Sequence, residues 1–347
     1  MTMANNYKEF QVNKLFGIDP SRCPDTMTFR GFEQKRTHVP DVNPDYVFSP
    51  SYISDLGAWW LIGGSDALAV VGDTGCGKTS FLNQFFARLN VPVYEINGHA
   101  RMEVPELIGS VGIKNGNTVF EYGPLAMAYK FGGIFLLNEF DLLDAGTLTG
   151  LNAIRDLNPL TIPENNGEVI FPHIDFRFVV TANTNGSGDA SQGAVYHGTN
   201  RMNMAFMDAF YMFKMGYPSA EVEMAILDKV VPMLPKAVVG QMINVARSVR
   251  RAFAGMATPG GEVITIESTF STRTLIRWAK YSNFFRTLGG AKEIDPLTGE
   301  EKTIVPVIRA LERVLSNKID PASAEAIIQM VKAEGLTQPQ KAQTPAN

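Results

Sequence analysis

The stretch ALAVVGDTGCGKTSFLNQFFARLN, residues 67–90, decides the fold of this 347-residue chain. Its first five residues are apolar, and they predict a strand that is buried on both faces. The next nine residues, GDTGCGKTS, contain the pattern GxxxxGK[ST], and the remainder has the composition of a helix. A strand before this pattern and a helix after it are the context in which it forms a phosphate-binding (Walker A) loop.

Each residue type in the loop has a physical reason to be there. Glycines let the backbone curl so that its N–H groups point at phosphate oxygens, and the following helix presents its positive end to the same anion. The Lys78 ammonium is expected to contact the β- and γ-phosphates, and the Thr79 hydroxyl to ligate Mg²⁺. The alternative is a glycine-rich turn that binds nothing. The candidate nucleotide-binding residues are Gly72, Asp73, Thr74, Gly75, Cys76, Gly77, Lys78, Thr79 and Ser80.

Apolar runs elsewhere in the chain outline its organisation. Four further segments have the pattern of strands in a parallel sheet covered on both faces: VPVYEI (91–96), GIFLLN (133–138), FRFVVTAN (176–183) and FYMFKM (210–215). From about residue 219 the pattern becomes helical. We therefore predict an N-terminal arm over 1–50, an α/β domain over 51–217, a helical domain over 218–335 and a disordered tail over 336–347. The arm is expected to be ordered but irregular, or to become ordered on contact.

Composition narrows the class of function. The chain has 45% hydrophobic and 19% charged residues and a formal net charge of −4. These values give no electrostatic reason to expect nucleic acid or an anionic membrane as the main partner. The two cysteines, Cys23 and Cys76, have no CxxC spacing, which suits a reducing cytosol. No apolar run approaches the length of about 18 residues that a membrane span needs, so we predict a cytoplasmic protein.

Two stretches place polar residues at the ends of predicted strands. IFLLNEFD (134–141) ends in Asn138, Glu139 and Asp141, and FRFVVTAN carries Asn183. Many ATPases use acidic residues at the end of a buried strand to hold magnesium and to activate water. The alternative is that Glu139 only caps the helix that follows.

Motifs over most of the chain resemble the MoxR-type AAA+ ATPases, and within them the small ATPase subunits of aerobic cobaltochelatase (CobS-type). The phosphate loop, VPDVNPDYVFSP (39–50) and EYGPLAMAYKFGGIFLLNEFD (121–141) carry the resemblance, and TANTNGSGDASQGAVYHGTNRMNMAFMD (181–208) is its most specific part. The resemblance implies an α/β fold, an AAA+ P-loop NTPase core whose five-stranded parallel sheet has the order 5-1-4-3-2, with a C-terminal helical lid domain. It also implies ATP and Mg²⁺ as cofactors and assembly into a homo-hexameric ring.

The same resemblance implies roles for individual residues. Glu139 takes the position of the glutamate that polarises the attacking water, and Asn138 takes that of the aspartate that holds Mg²⁺. Asn183 takes the position of a polar residue between the γ-phosphate and the catalytic water. Arg273, near the start of a helix of the lid, takes the position of an arginine that reaches the γ-phosphate. An ordinary solvated helix arginine is the alternative for Arg273.

Two charges of the family are missing from this sequence. Asn138 stands where the family has aspartate, so weaker Mg²⁺ binding is expected unless Asp141 compensates. Ala209 stands where the family has an arginine that is thought to reach the nucleotide of the neighbouring subunit. Arg201 could substitute for it in trans, and an ordinary surface arginine is the alternative. Without such an arginine the ring is expected to hydrolyse ATP slowly.

The resemblance also implies what the ATPase acts on, namely a partner protein that carries a von Willebrand A-like domain and is remodelled. TIPENNGEVIF (161–171) predicts a β-hairpin, which we assign as an insert of the second core helix near 160–172, and KNGNTVFEYG (114–123) predicts another. Two alternatives stay open. One is an ATP-binding assembly scaffold with weak or vestigial hydrolysis, and the other is a phage or defence-related MoxR-type chaperone unrelated to cobalamin.

Overall fold

The structure of the chain, a computed structural model, describes residues 6–64, 66–184, 207–256, 266, 268–288, 292–294, 299, 301–303 and 305–337. Arg201 and the rest of the segment 185–206, which belongs to the most specific part of the family resemblance, lie outside the described residues. The chain divides into two compact units, Met1–Gly216 and Tyr217–Asn347.

The secondary structure is mixed α/β. The described strands, in chain order, are β1 (Tyr7–Gln11), β2 (Thr28–Phe32), β3 (Ala67–Val71), β4 (Val93–Asn97), β5 (Gly109–Lys114), β6 (Asn117–Tyr122), β7 (Gly133–Asn138), β8 (Leu160–Ile162), β9 (Glu168–Ile170), β10 (Phe176–Ala182), β11 (Phe210–Lys214), β12 (Lys292–Ile294) and β13 (Glu301–Thr303). The described α-helices are α1 (Val12–Phe16), α2 (Pro50–Ile62), α3 (Lys78–Arg88), α4 (Val104–Ile108), α5 (Pro124–Phe131), α6 (Ala145–Gly150), α7 (Asn152–Arg155), α8 (Ala220–Val230), α9 (Lys236–Phe253), α10 (Thr272–Thr287), α11 (Pro306–Val314) and α12 (Pro321–Ala333). Among these helices, none combines the length and the apolarity that crossing a membrane requires.

A five-stranded parallel sheet forms the centre of the first unit, with the strand order β11-β3-β10-β7-β4. Numbered along the chain, these core strands have the order 5-1-4-3-2, so the predicted fold class is confirmed. β3 and β7 are buried at every residue. Continuous apolar runs are expected in strands that are covered on both faces, which is why sequence alone located the sheet.

The strand order brings the C-terminal ends of the core strands to one edge of the sheet. β10 lies beside β3, with Ala182 next to Val71. β4 lies beside β7, with Asn97 next to Asn138. Ligands of open α/β sheets bind outside the carboxyl ends of the strands. The loop that follows β3 and the polar residues at the ends of β4, β7 and β10 therefore belong to one site.

The first 50 residues are more regular than the sequence predicts. β1 and β2 form an antiparallel pair, and α1 follows β1 directly. The rings of Phe16 and Phe29 are buried and contact the ring of Phe85 in α3. Residues 7–16 and 28–32 are thus regular where the sequence predicts an irregular arm, because that prediction gave weight to the Pro and Asp residues of the loops. The buried aromatic side chains order this segment against the helix that follows the phosphate loop.

The first predicted hairpin is formed by β5 and β6. The two strands pair antiparallel and are joined by Asn115 and Gly116, whose φ angles are 51° and 78°. Two consecutive positive φ angles are what a two-residue hairpin turn needs, since this turn matches the twist of the strands. Val111 and Ile113 of this hairpin are 49% and 81% exposed, which leaves apolar side chains on its surface.

The second predicted hairpin is formed by β8 and β9, which pair antiparallel. Its loop has a 3₁₀ turn at Pro163–Asn165, followed by Asn166 and Gly167, both with positive φ. The assignment of this hairpin to the second core helix is wrong, because the hairpin lies between the third and fourth core strands, β7 and β10. The connection between the second and third core strands carries the β5–β6 hairpin instead.

The second unit is mainly helical. Its core is built from helices α8 to α12, and the fully buried side chains include Val239, Met242, Trp278, Leu311 and Ile327. One short antiparallel pair, β12 and β13, is also described.

A buried ion pair connects three helices of the second unit. Arg250 in α9 donates to both carboxylate oxygens of Glu223 in α8, with N–O distances of 2.7 and 3.1 Å. The side chain of Glu223 is 0% exposed and that of Arg250 is 9% exposed. The Thr272 hydroxyl donates to Glu223, and the Arg250 Nε donates to the carbonyl of Phe270. The pair therefore fixes the start of α10, where Arg273 lies.

Candidate nucleotide-binding site

The phosphate loop lies between β3 and α3, as the sequence predicts. Gly75 and Gly77 have φ angles of 74° and 103°, which residues with a Cβ atom rarely adopt. α3 begins at Lys78, directly after the loop. The first N–H groups of a helix have no acceptor within it, so an anion bound at this loop meets donors from the loop and from the helix together.

The loop is packed tightly against the end of β11. A Cβ atom on Gly72 would lie 1.9 Å from the carbonyl oxygen of Met215, and the φ angle of Gly72 is 155°. The Cys76 thiol donates to the same Met215 carbonyl at 3.4 Å. Burial raises the pKa of the Cys76 thiol, which disfavours the reactive thiolate form. Cys76 therefore has a packing role in this loop.

The close approach at Gly72 gives a testable prediction. Gly72→Ala is expected to destabilise the first unit by about 1–3 kcal/mol more than Gly64→Ala, because its methyl group must displace backbone atoms. Gly64 is the matched control, since its φ angle is also positive (55°) but its Cβ would meet no atom within 4 Å. Urea denaturation measures both variants. Equal destabilisation of the two would show that the contact with Met215 does not constrain the loop.

Lys78, the first residue of α3, has a buried side chain that folds back onto the preceding loop. Its ammonium donates to the carbonyls of Gly72 and Asp73, at 2.6 and 3.1 Å, and to Asn183 Oδ1 at 3.0 Å. The residue is 8% exposed, and burial lowers the pKa of its ammonium group. The structure thus brings together two residues that the sequence predicts separately, Lys78 after the phosphate loop and Asn183 at the end of β10.

The Asn138 side chain is at the centre of a hydrogen-bond network. Its Oδ1 accepts from the hydroxyls of Thr79 and Thr181, at 2.8 and 3.0 Å. Its Nδ2 donates to Glu95 Oε1 at 2.7 Å and to Asn97 Oδ1 at 3.2 Å. Asn138 is 3% exposed, so a complete set of partners is needed to offset the loss of water. The network connects the start of α3 with the ends of β4, β7 and β10.

The donors at this edge fit Mg²⁺. Thr79 Oγ1 and Asn138 Oδ1 are hard oxygen atoms that lie 2.8 Å apart. In the part of the chain that the structure describes, no three His, Cys, Asp or Glu side chains are grouped so that they could hold a metal ion. Mg²⁺ in nucleotide sites is held by one or two protein oxygens together with phosphates and water, rather than by a complete protein cage.

Glu139 follows β7 in an unusual backbone conformation. Its φ and ψ angles are 53° and 40°, the left-handed region, which costs a non-glycine residue about 1–3 kcal/mol. Its backbone N–H donates to the Thr181 hydroxyl at 3.3 Å. The side chain is exposed and makes no capping hydrogen bond to the 3₁₀ turn Phe140–Leu142. The capping alternative is therefore wrong, and the carboxylate is free to face solvent at the edge of the sheet.

Asp141 holds the end of β10. Its Oδ2 accepts from the backbone N–H groups of Asn183 and Thr184, both at 3.0 Å, and from the Thr184 hydroxyl at 3.1 Å. The residue is fully buried, and burial raises the pKa of its carboxyl group. These contacts give Asp141 a positioning role, because they fix the backbone from which the Asn183 side chain reaches Lys78.

Three residues of the site are absent from the sequence-based prediction, namely Glu95, Asn97 and Thr181. Each is a polar residue near the end of a predicted apolar strand, at the same edge as Asn138 and Asn183. The carboxyl ends of parallel strands meet at one edge of the sheet, so this placement was the available signal.

The remaining predicted residues are not part of the described network. Arg273 lies in the second unit, exposed on the first turn of α10. Ala209 directly precedes β11, and Arg201 lies outside the described residues. The roles predicted for Arg201 and Arg273 stay predictions.

A loop with the GxxxxGK[ST] pattern after the first strand of a 5-1-4-3-2 parallel sheet, with polar side chains at the ends of the third and fourth strands, is the arrangement of an AAA+ P-loop ATPase core. Residues 67–196 match the AAA domain of the dynein-related subfamily, and residues 223–333 match the CbbQ/NirQ/NorQ C-terminal domain. The chain belongs to the MoxR-type AAA+ ATPases, the family that includes CobS, NirQ, NorQ and CbbQ.

Individual relatives are distant but extend over much of the chain. The chain is 28% identical to the aerobic cobaltochelatase subunit CobS of Sinorhizobium sp, over 79% of this chain and 80% of that protein. It is 27% identical to the denitrification regulatory protein NirQ of Stutzerimonas stutzeri, over 61% of this chain and 70% of that protein. The solved structure of the RuvB Holliday junction branch migration motor of Thermotoga maritima matches with a TM-score of 0.44 and 14% identity, over 83% of this chain and 76% of that chain.

Proposed function

We propose that this AAA+ ATPase hydrolyses ATP in a Mg²⁺-dependent reaction, assembles into a homo-hexameric ring and remodels a partner protein. The observation that supports the hydrolytic site most directly is the pair of contacts Lys78–Asn183 and Thr79–Asn138. They join residues from the loop, β7 and β10 at one edge of the sheet, next to the exposed Glu139.

Each residue of this site has a role that its position allows. Lys78 and the N–H groups of the loop bind the phosphates, and Thr79 and Asn138 hold Mg²⁺, which neutralises phosphate charge when it is bound. Glu139 accepts a proton from the attacking water, and its exposed carboxylate leaves room for that water. Asn183 orients the water, because its side chain is already held in place by a hydrogen bond from the Lys78 ammonium.

The proposed ring and partner derive from the family. The names of the relatives describe one as a subunit of a cobaltochelatase and another as a regulatory protein, so action together with other proteins is the expectation for this chain. We propose a partner with a von Willebrand A-like domain. The exposed apolar side chains of the β5–β6 hairpin, Val111 and Ile113, are candidates for its contact surface.

A second candidate function is an ATP-binding scaffold, in which nucleotide stabilises the ring and hydrolysis is slow. Ala209 favours it, since an alanine cannot supply a charge to a neighbouring subunit's nucleotide. A MoxR-type chaperone of phage or defence origin, unrelated to cobalamin, differs in its partner and not in its nucleotide site.

Loss of the loop lysine tests nucleotide binding. Lys78→Ala is expected to weaken ATP binding at least tenfold, because charge-assisted contacts to phosphate contribute about 1.5–3 kcal/mol. Calorimetric titration with ATP and MgCl₂ measures the affinity. Lys35→Ala is the control, since Lys35 is an exposed lysine of the same unit that pairs with Asp41. Equal ATP affinity for Lys78→Ala and wild type would contradict the proposal.

A further inference from the structure

We infer that Glu95 supplies, through the Asn138 amide, the negative charge that the magnesium position lacks. The inference rests on the proposed Mg²⁺-ATP site, and it makes Glu95 a positioning residue that acts through Asn138. Neither the family roles nor the loop motif assigns a function to Glu95.

The first step is that both oxygens of the Glu95 carboxylate are held. Oε1 accepts from Asn138 Nδ2 at 2.7 Å, and Oε2 accepts from Asn83 Nδ2 in α3 at 2.8 Å. Glu95 is in β4, two residues before Asn97, which lies beside Asn138 in the adjacent strand β7. Side chains two residues apart in a strand point to the same face of the sheet. The carboxylate is therefore oriented toward Asn138 by the strand register and by a helix.

The second step is that Glu95 determines which way the Asn138 amide points. A carboxylate can only accept hydrogen bonds, so Asn138 must turn its NH₂ group toward Glu95. Its carbonyl oxygen must then face the hydroxyls of Thr79 and Thr181, as it does. The carbonyl is the group that can serve a cation or its bound water. The Glu95 carboxylate thus turns the carbonyl oxygen of the Asn138 amide toward the magnesium position.

The third step explains why residue 138 is Asn in this chain. An Asp at this position would place one of its oxygens where Nδ2 now lies, 2.7 Å from Glu95 Oε1. Two carboxylates at that distance repel each other, which disfavours an Asp at this position. With Asn at 138, Glu95 is the one carboxylate in the hydrogen-bond network of this side chain. The negative charge is therefore on Glu95 in β4 instead of on residue 138 in β7, and the Asn138 amide lies between this charge and Thr79.

The fourth step concerns the size of the effect. A carboxylate that accepts from an amide N–H polarises the amide and makes its carbonyl a stronger ligand. Loss of an orienting partner of a metal ligand typically weakens metal binding by about 10–100-fold. Glu95 is exposed, so water screens its charge, and an effect near tenfold is expected.

The experiment measures ATP affinity calorimetrically in EDTA and in a MgCl₂ series. The variant Glu95→Gln keeps a carbonyl that can accept from Asn138 but removes the charge. We expect the ratio of the affinities with and without Mg²⁺ to fall about tenfold in this variant, with the affinity in EDTA unchanged. Glu164→Gln is the control, since Glu164 is an exposed glutamate in the loop of the β8–β9 hairpin.

A double-mutant cycle with Asn138→Asp separates the charge from a merely structural role. In the Asn138→Asp background, Glu95→Gln is expected to strengthen Mg²⁺-dependent ATP binding, because it relieves the repulsion between two carboxylates. The same substitution is thus expected to weaken Mg²⁺-dependent ATP binding in the wild-type background and to strengthen it in the Asn138→Asp background. If Glu95→Gln weakens Mg²⁺ dependence in both backgrounds or in neither, the inference is overturned while the proposed function stands. A wild-type chain that binds no ATP in either buffer would overturn both.

Discussion

Replacing Glu139 by Gln is expected to lower steady-state ATP turnover by about 10²–10⁴-fold, the usual contribution of a general base. ATP affinity is expected to stay near that of wild type. The structure separates the two effects, because the Glu139 side chain is exposed and makes no capping hydrogen bond, whereas Lys78 and Thr79 begin α3, directly after the loop that we propose binds phosphate. Gln has the shape of Glu but cannot take a proton from water.

The measurement is a coupled ATPase assay of Glu139→Gln, together with a calorimetric ATP titration of the same preparation. Glu164→Gln is the matched control, since it removes a carboxylate from an exposed loop of the same unit. Turnover in Glu139→Gln equal to that in Glu164→Gln would show that Glu139 is not the base. Loss of ATP binding in Glu139→Gln would show instead that the substitution damages the loop.

The second large effect is on stability. Glu223→Ala is expected to lower the free energy of unfolding of the second unit by about 3–5 kcal/mol, because it leaves the Arg250 guanidinium buried without its counter-charge. Glu223 is fully buried, and both of its oxygens accept from Arg250. Replacing both partners, in Glu223→Leu with Arg250→Met, is expected to cost much less, because no charge then stays buried.

Urea denaturation followed by the fluorescence of Trp278 measures this effect. Trp278 lies in the core of the second unit, and the other two tryptophans, Trp59 and Trp60, are replaced by Phe so that only this unit is observed. Asp228→Ala is the control, since its partner Lys236 is 82% exposed and the N–O distance is 3.5 Å. Surface pairs contribute about 1 kcal/mol or less. If Glu223→Ala destabilises the unit no more than this control does, the buried pair is not what holds the start of α10.

Sequence predicts the central sheet and the phosphate loop well, because both are encoded locally. A strand buried on both faces, such as β3, appears as an unbroken apolar run, and the GxxxxGK[ST] pattern needs no distant residue to be recognised. The N-terminal strand pair was harder to predict. The segment that contains this strand pair is held in place by the packing of Phe16 and Phe29 against Phe85, which is more than 50 positions away in the chain.

The same distinction applies to the site. Thr79, Glu139 and Asn183 can be located from motifs and from strand ends. The contact between Glu95 and Asn138 cannot, since it spans 43 positions and depends on the register of β4 against β7. A shift of this register by one residue would turn Glu95 to the opposite face of the sheet. Contacts of this kind are visible only once the strands are paired.

The most direct test of the central claim, that the loop and the strand ends form a hydrolytic ATP site, is steady-state ATP turnover as a function of protein concentration. It is measured for wild type, Lys78→Ala and Glu139→Gln. We predict turnover in wild type that rises cooperatively with concentration, as expected of a site completed between subunits, and its loss in both variants. ATP binding with no wild-type turnover above the Lys78→Ala background, at any concentration, would contradict hydrolysis by the isolated chain and favour the ATP-binding scaffold.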